Sequence, residues 1–100
     1  MTSSVLSYEL SPEAAQDLSD IFDYTEMEFG LDQAVKYLKD LEHCFIQLCG
    51  NPSIGRERSE IREALYSFLS QSHVVFYRIL NDRLRVVRVL HGSRDLPRHF

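Results

Sequence analysis

Apolar and polar residues alternate from Val5 to Leu10, a two-residue period that predicts a short first strand. Ser11-Pro12-Glu13 comes next. It offers an N-cap hydroxyl, a proline at the first helical position where a missing N–H costs nothing, and an acid favoured by the helix dipole. A helix is predicted from Pro12, with Ala15, Leu18, Phe22, Thr25 and Phe29 as its apolar stripe and Gly30 as the residue that ends it. A second helix is predicted from about Asp32, carrying Ala34, Val35, Leu38, Leu41, Phe45 and Leu48 on one face and stopping at Gly50-Asn51-Pro52. Joined by a tight corner, the two form an antiparallel hairpin.

Asn51 to Glu63 is polar, has a proline-to-glycine turn and reads as a connection with a short helical turn. Three strand-like runs follow: Ala64 to Leu69, Ser72 to Leu80 and Arg83 to Leu90, with Asn81-Asp82 as the turn between the last two. HVVFYRIL is nearly continuous in apolar residues, as expected of a central strand covered on much of both faces. The predicted fold is α+β in the order β-α-α-β-β-β, a helical hairpin packed on a small, mostly antiparallel sheet, as one domain over residues 1–100.

The hairpin register carries a functional expectation. With an even loop at Asn81-Asp82, Arg78 opposes Arg85, Leu80 opposes Arg83 and Phe76 opposes Val87. Paired side chains share a face, so Arg78, Arg83 and Arg85 cluster, and such like charges need an anion nearby. The other face is predicted to carry Val75, Tyr77, Ile79, Leu84, Val86 and Leu90 toward the helices, with His73 and Arg88 at its margin.

Charge sharpens this picture. The net charge is −4, but residues 1–50 hold ten acids against two lysines, whereas all nine arginines lie in residues 51–100 against five acids. This asymmetry calls for an anionic partner at the arginine half or for pairing of the two halves within the fold. Acids of the first helix, including Glu13, Asp17, Asp20 and Asp23, are expected away from its apolar stripe, solvated or facing a basic partner. The only cysteines, Cys44 and Cys49, are five residues apart on one predicted helix, which points their sulfurs apart and favours reduced thiols. The histidines at 43, 73, 91 and 99 make no zinc spacing, so neither metal nor cofactor is expected. The start of the chain has no basic and apolar leader pattern and no apolar run approaches a membrane span; the expectation is a cytoplasmic protein without membrane partners.

The order of elements together with PSIGRERSEIR (Pro52 to Arg62), SHVVFYRI (Ser72 to Ile79) and VVRVLHGSRDLP (Val86 to Pro97) resembles the ParE toxins of bacterial type II toxin–antitoxin modules, within the RelE/ParE superfamily. The resemblance spans essentially the whole chain. It implies a toxin held in a hetero-oligomer by a ParD-like antitoxin, with DNA gyrase as target for ParE relatives and ribosome-bound messenger RNA as substrate for RelE relatives. One scaffold hosts both activities, so fold alone does not separate them.

Metal-free RNA cleavage needs a base for the 2′-hydroxyl, cations for the phosphorane and an acid for the leaving oxygen. Arg62, Arg78, Arg88 and Arg94 fit the second role, His91 and His99 the acid–base roles, and Glu60 and Glu63 are further candidate bases. RelE-type nucleases resembling this chain place a tyrosine or a histidine–tyrosine pair near the C-terminus. Here the last tyrosine is Tyr77, the final aromatic is Phe100, and the second half has no lysine. His91, ahead of Gly92, has three readings: a bond to backbone or Asp95, an interface residue, or a catalyst. Arg94 either pairs with Asp95 or reaches a partner. Direct sequence-specific nucleic-acid binding without the antitoxin is disfavoured by the negative net charge and by the lack of aromatic–basic interleaving. The expectation is therefore a gyrase-binding inhibitor with no catalytic residues of its own, gripping through Arg78, Arg85, Arg88, His91 and Arg94, with a ribosome-dependent ribonuclease as the alternative.

Overall fold

The computed structural model describes residues 7–93. The elements are β1 (Tyr8–Leu10), α1 (Pro12–Phe29), α2 (Leu31–Gly50), a 3-10 turn (Pro52–Ile54), β2 (Arg56–Glu57), β3 (Tyr66–Ser70), β4 (His73–Ile79) and β5 (Leu84–His91). One sheet runs in the order β1-β5-β4-β3-β2, with β1 parallel to β5 and the remaining neighbours antiparallel. The α+β architecture with a helical hairpin on a mostly antiparallel sheet is the one the chain pattern predicts. β2 is an addition. It lies in the stretch read as a connection, where two polar residues carry no periodicity and only their pairing with Ser67 and Tyr66 makes them a strand.

Ser11 caps α1 as its sequence requires, its hydroxyl oxygen accepting the Ala14 N–H at 3.0 Å. The same hydroxyl donates to the Val87 carbonyl at 2.7 Å, and the Ser11 N–H donates to the Val86 carbonyl at 2.9 Å, so the cap also ties the helix start to β5. Gly30, at φ +95°, turns the corner between the helices, a conformation that disfavours any side chain. The apolar stripe of α1 is displaced from the predicted one: Ala14, Leu18, Ile21 and Thr25 face inward, while Ala15 and Phe29 are exposed. Both stripes satisfy 3/4 spacing. The observed one also turns Asp17 inward, so this acid is not among the solvated ones.

On α2, Leu41, Cys44, Phe45, Leu48 and Cys49 are buried against the sheet, whereas Val35 is exposed. Both cysteines are free, and burial pushes both thiols up. They are poor nucleophiles where they sit.

Asn81 and Asp82 form a two-residue loop, closed by the Leu80 N–H donating to the Arg83 carbonyl at 2.8 Å. Arg78 opposes Arg85 and Tyr77 opposes Val86, as the even loop predicts. A β-bulge then intervenes, and Phe76 opposes Arg88 instead of Val87. Beyond it, Val89 packs toward the helices and Leu90 joins Phe76 and Leu65 on the outer face, reversing the predicted side for Leu90. The principal core lies between the inner face of the sheet (Val75, Tyr77, Leu84, Val86, Val89) and the hairpin. A smaller outer cluster of Leu65, Phe76 and Leu90 packs with Ile61.

Tyr77 is fully buried in the principal core. Its hydroxyl donates to the Pro52 carbonyl at 2.6 Å and accepts the Gly55 N–H at 3.0 Å; burial pushes the phenol up to about 12. A Cβ added at Gly55 would lie 2.1 Å from that oxygen, so the close approach depends on glycine. Among the described residues no helix is long and apolar enough to cross a membrane.

Candidate functional site

Arg78 and Arg85 stand opposite one another near the tip of the β4–β5 hairpin. Glu9 of β1, the register partner of Arg85, is the carboxylate that answers this cluster: it pairs with Arg85 and lies 2.8 Å from the Arg83 Nε. The bond from Arg85, reinforced by Arg83, holds the Glu9 carboxyl below the usual glutamate range. Arg83 also lies 3.3 Å from Asp82. Arg78 is exposed, and among the described residues no acid pairs with it. Two of the three clustered arginines are thus answered from within the fold, and one presents its charge to solvent.

Arg56 of β2 extends this surface. It is exposed and, through the Arg56–Ser67 and Ser67–Phe76 pairings, shares the face of Phe76 and Arg78. Arg58 lies beside it but is engaged, bonded to Glu60 at 2.6 Å and to Ser67 at 3.3 Å, with its guanidinium 5.9 Å from the centre of the Phe76 ring.

Arg88 has a different environment. The bulge places it beside α1, where Asp17 accepts from its Nε at 2.8 Å and from its Nη2 at 2.9 Å. Asp17 also accepts the Val89 N–H at 2.9 Å, on the part of β5 that β1 no longer covers. The Arg88 and Asp17 side chains are only 21% and 11% exposed. The geometry makes Arg88 part of the joint between α1 and the sheet. Sequence reasoning missed Asp17, which looked like one more solvated acid, and Glu9, whose role appears only once β1 is laid beside β5.

His91 ends β5 and opposes His73, the two rings meeting edge to face with centroids 5.3 Å apart. The His91 Nδ1 accepts the Ser93 N–H at 3.2 Å and lies 2.7 Å from the Ser93 hydroxyl. Its neutral ring therefore carries the proton on Nε2. The Tyr37 hydroxyl lies 2.6 Å from the His73 Nδ1. Burial raises the Tyr37 pKa, and Ser72 bonds to the phenol oxygen. The Nδ1 atoms of both imidazoles are thus engaged, by Tyr37 and by Ser93. Among the described residues no group of three His, Cys, Asp or Glu is placed to hold a metal ion.

Arg85 and His91 are six strand residues apart, about 20 Å at the usual rise, so Arg78 and Arg85 share one surface and His91 belongs to another. Arg94, along with Asp95, His99 and Phe100, lies outside the described residues. The His73–Tyr37 contact joins β4 to α2 and has no short-range signal in the chain.

A family model described as the ParE toxin of type II toxin–antitoxin systems, parDE, matches residues 8–96. The chain is 41% identical over 94 residues to Toxin ParE1 of Mycobacterium tuberculosis, covering 93% of this chain and 96% of the relative. It is 36% identical over 93 residues to Toxin ParE1 of Caulobacter vibrioides, again covering 93% and 96%. In fold it is similar to a chain of the chromosomal ParDE toxin–antitoxin system from P. aeruginosa, with a TM-score of 0.74 at 19% identity over 87% of this chain and 96% of that one.

Proposed function

Because the chain belongs to the ParE toxin family of type II toxin–antitoxin systems, we propose that it acts in the cytoplasm by binding DNA gyrase, without chemistry of its own, and that a ParD-like antitoxin neutralises it in a hetero-oligomer. The observation that carries this reading is the arginine surface at the hairpin tip. Arg78 opposes Arg85, and the carboxylate serving that corner, Glu9, is already shared between Arg85 and Arg83. Directly opposed like charges are retained at a cost unless something anionic completes them. A target that grips this surface supplies that charge.

Two other observations support a grip over a cut. The Nδ1 atoms of His73 and His91 are already engaged by Tyr37 and Ser93, and the cation of Arg78 stands far along the sheet from both rings. Arg85 and Arg78 are the proposed contact residues, with Arg94 following His91 as a further contact in the chain. Arg88, clasped by Asp17, contributes by holding the frame of β5, and His91 is a contact candidate on the separate surface at the far end of that strand.

The test is a supercoiling and cleavage assay with purified gyrase, first with this protein alone and then with its antitoxin. The expected result is loss of supercoiling with accumulated cleaved DNA, reversed by antitoxin. If well-folded protein at micromolar concentration leaves gyrase untouched, the reading fails, and codon-positioned cuts in messenger RNA become the outcome to look for.

A further inference from the structure

The arginine surface makes no use of a cavity that lies between the helical hairpin and the far end of the sheet. It encloses about 820 Å³, within the range of ligand-binding clefts. Asp20, Tyr24 and Phe29 of α1, Tyr37 of α2, and His73 and His91 of the sheet line it. Tyr24 and Phe29 are 62% and 68% exposed, so two large aromatic rings stand open to water at its mouth.

The chemistry of the lining selects among ligands. Asp20 is the one carboxylate among its described lining residues, and no lysine or arginine is among them. One carboxylate oxygen of Asp20 accepts from the neutral Gln16 amide at 2.9 Å, and among the described residues no cation pairs with it. The helix behind it carries six acids and no basic residue, and of those acids Asp17 alone is in a described ion pair. An anionic ligand entering here would meet this field, and an apolar one would strip water from Asp20 and give nothing back. A guanidinium or ammonium group, by contrast, gains the carboxylate and the aromatic faces together.

We propose that this cavity receives an arginine or lysine side chain of the antitoxin, an assignment that rests on the toxin reading in naming the carrier. The acidic hairpin and the basic sheet face then recognise opposite chemistries. The antitoxin is bound through a cation at the hairpin, and the target through an anion at the sheet.

The experiment is an NMR titration of the full, isotope-labelled chain with N-acetyl-arginine amide, using N-acetyl-citrulline amide as the neutral isostere and N-acetyl-glutamate amide as the anionic control. Saturable shifts at Tyr24, Tyr37 and His91 are expected with the arginine compound, weaker by roughly tenfold or more with citrulline. Asp20→Asn, at an exposed position, is expected to leave the dispersed spectrum intact and abolish the preference, and Tyr24→Ala to weaken binding of the arginine compound. Equal binding of citrulline, equal binding of glutamate, or no saturable shift up to the solubility limit would overturn the assignment. Gyrase takes no part in this measurement, so the proposed target and the proposed cation site fail independently.

Discussion

The two ends of β5 are held by different carboxylates and in different ways. At its start, where β1 runs alongside, Glu9 reaches Arg83 and Arg85 from the neighbouring strand and remains open to water. Past the bulge, where β1 has ended, Asp17 of α1 takes the place of the missing strand, accepting the Val89 N–H and clasping Arg88 with little exposure. Arginines of one strand thus serve separate ends. An arginine whose carboxylate also completes a backbone ladder is part of the frame, whereas one whose acid is shared and solvated can exchange it for a partner's. Both acids come from the first half of the chain, so the charge asymmetry is partly cancelled inside the fold, and among the described residues Arg78 and Arg56 still present their charge outside it.

Breaking the frame is expected to have the largest effect. Asp17→Asn removes the charge facing Arg88 in a largely buried setting and is predicted to cost about 2–4 kcal/mol in urea unfolding. A loss below about 0.5 kcal/mol would show Arg88 to be as exchangeable as Arg85. Replacing Asp17 with Leu and Arg88 with Met together is predicted to stay destabilised by about 1–3 kcal/mol, because the Val89 N–H still lacks its acceptor.

Tyr77→Phe tests the body of the hairpin between those ends. It leaves the Gly55 N–H and the Pro52 carbonyl without their shared hydroxyl, with an expected cost of about 1–3 kcal/mol by the same unfolding measurement. Unchanged stability would mean that apolar packing alone holds this junction.

Arg78→Ala sharpens the comparison from the other side. Its stability should stay within about 0.5 kcal/mol of the parent, while gyrase inhibition falls by roughly tenfold or more if Arg78 anchors the contact. Full inhibition by a folded Arg78→Ala protein would remove the hairpin tip from the proposed grip.

The smallest effect is the pH dependence at Glu9. Its folded pKa lies below its unfolded one, so its stabilising contribution is complete above the ordinary glutamate range and is lost as pH falls through the depressed folded value. The parent should therefore exceed Glu9→Gln in urea midpoint at neutral pH, with the gap closing in acid. A gap that widens on acidification would contradict the sign of the shift.

Much of the fold is legible locally. Ser11-Pro12-Glu13 announces a helix start because cap, proline and dipole agree on one position, and Asn81-Asp82 sets a two-residue turn that opposes Arg78 to Arg85. The stripe of α1 was legible only to within one residue, since two overlapping apolar rows satisfy the same period. The bulge beside Phe76 left no mark at all, and the side expected for Leu90, beyond it on β5, inverted with it. The candidate site follows the same division: Arg78 and Arg85 could be paired from turn length, whereas the partners Glu9, Asp17, His73 and Tyr37 come from elements that meet only in three dimensions.

The chain by itself determined the helical hairpin, the final β-hairpin and its cluster of arginines, and motifs that resemble one toxin family, because periodicity, caps and turns act over a few residues. Tertiary structure decided which arginines are anchored and which are presented. That choice depends on where carboxylates lying 71 to 76 residues away come to rest, and electrostatic pairing at contact distance is invisible to any local pattern.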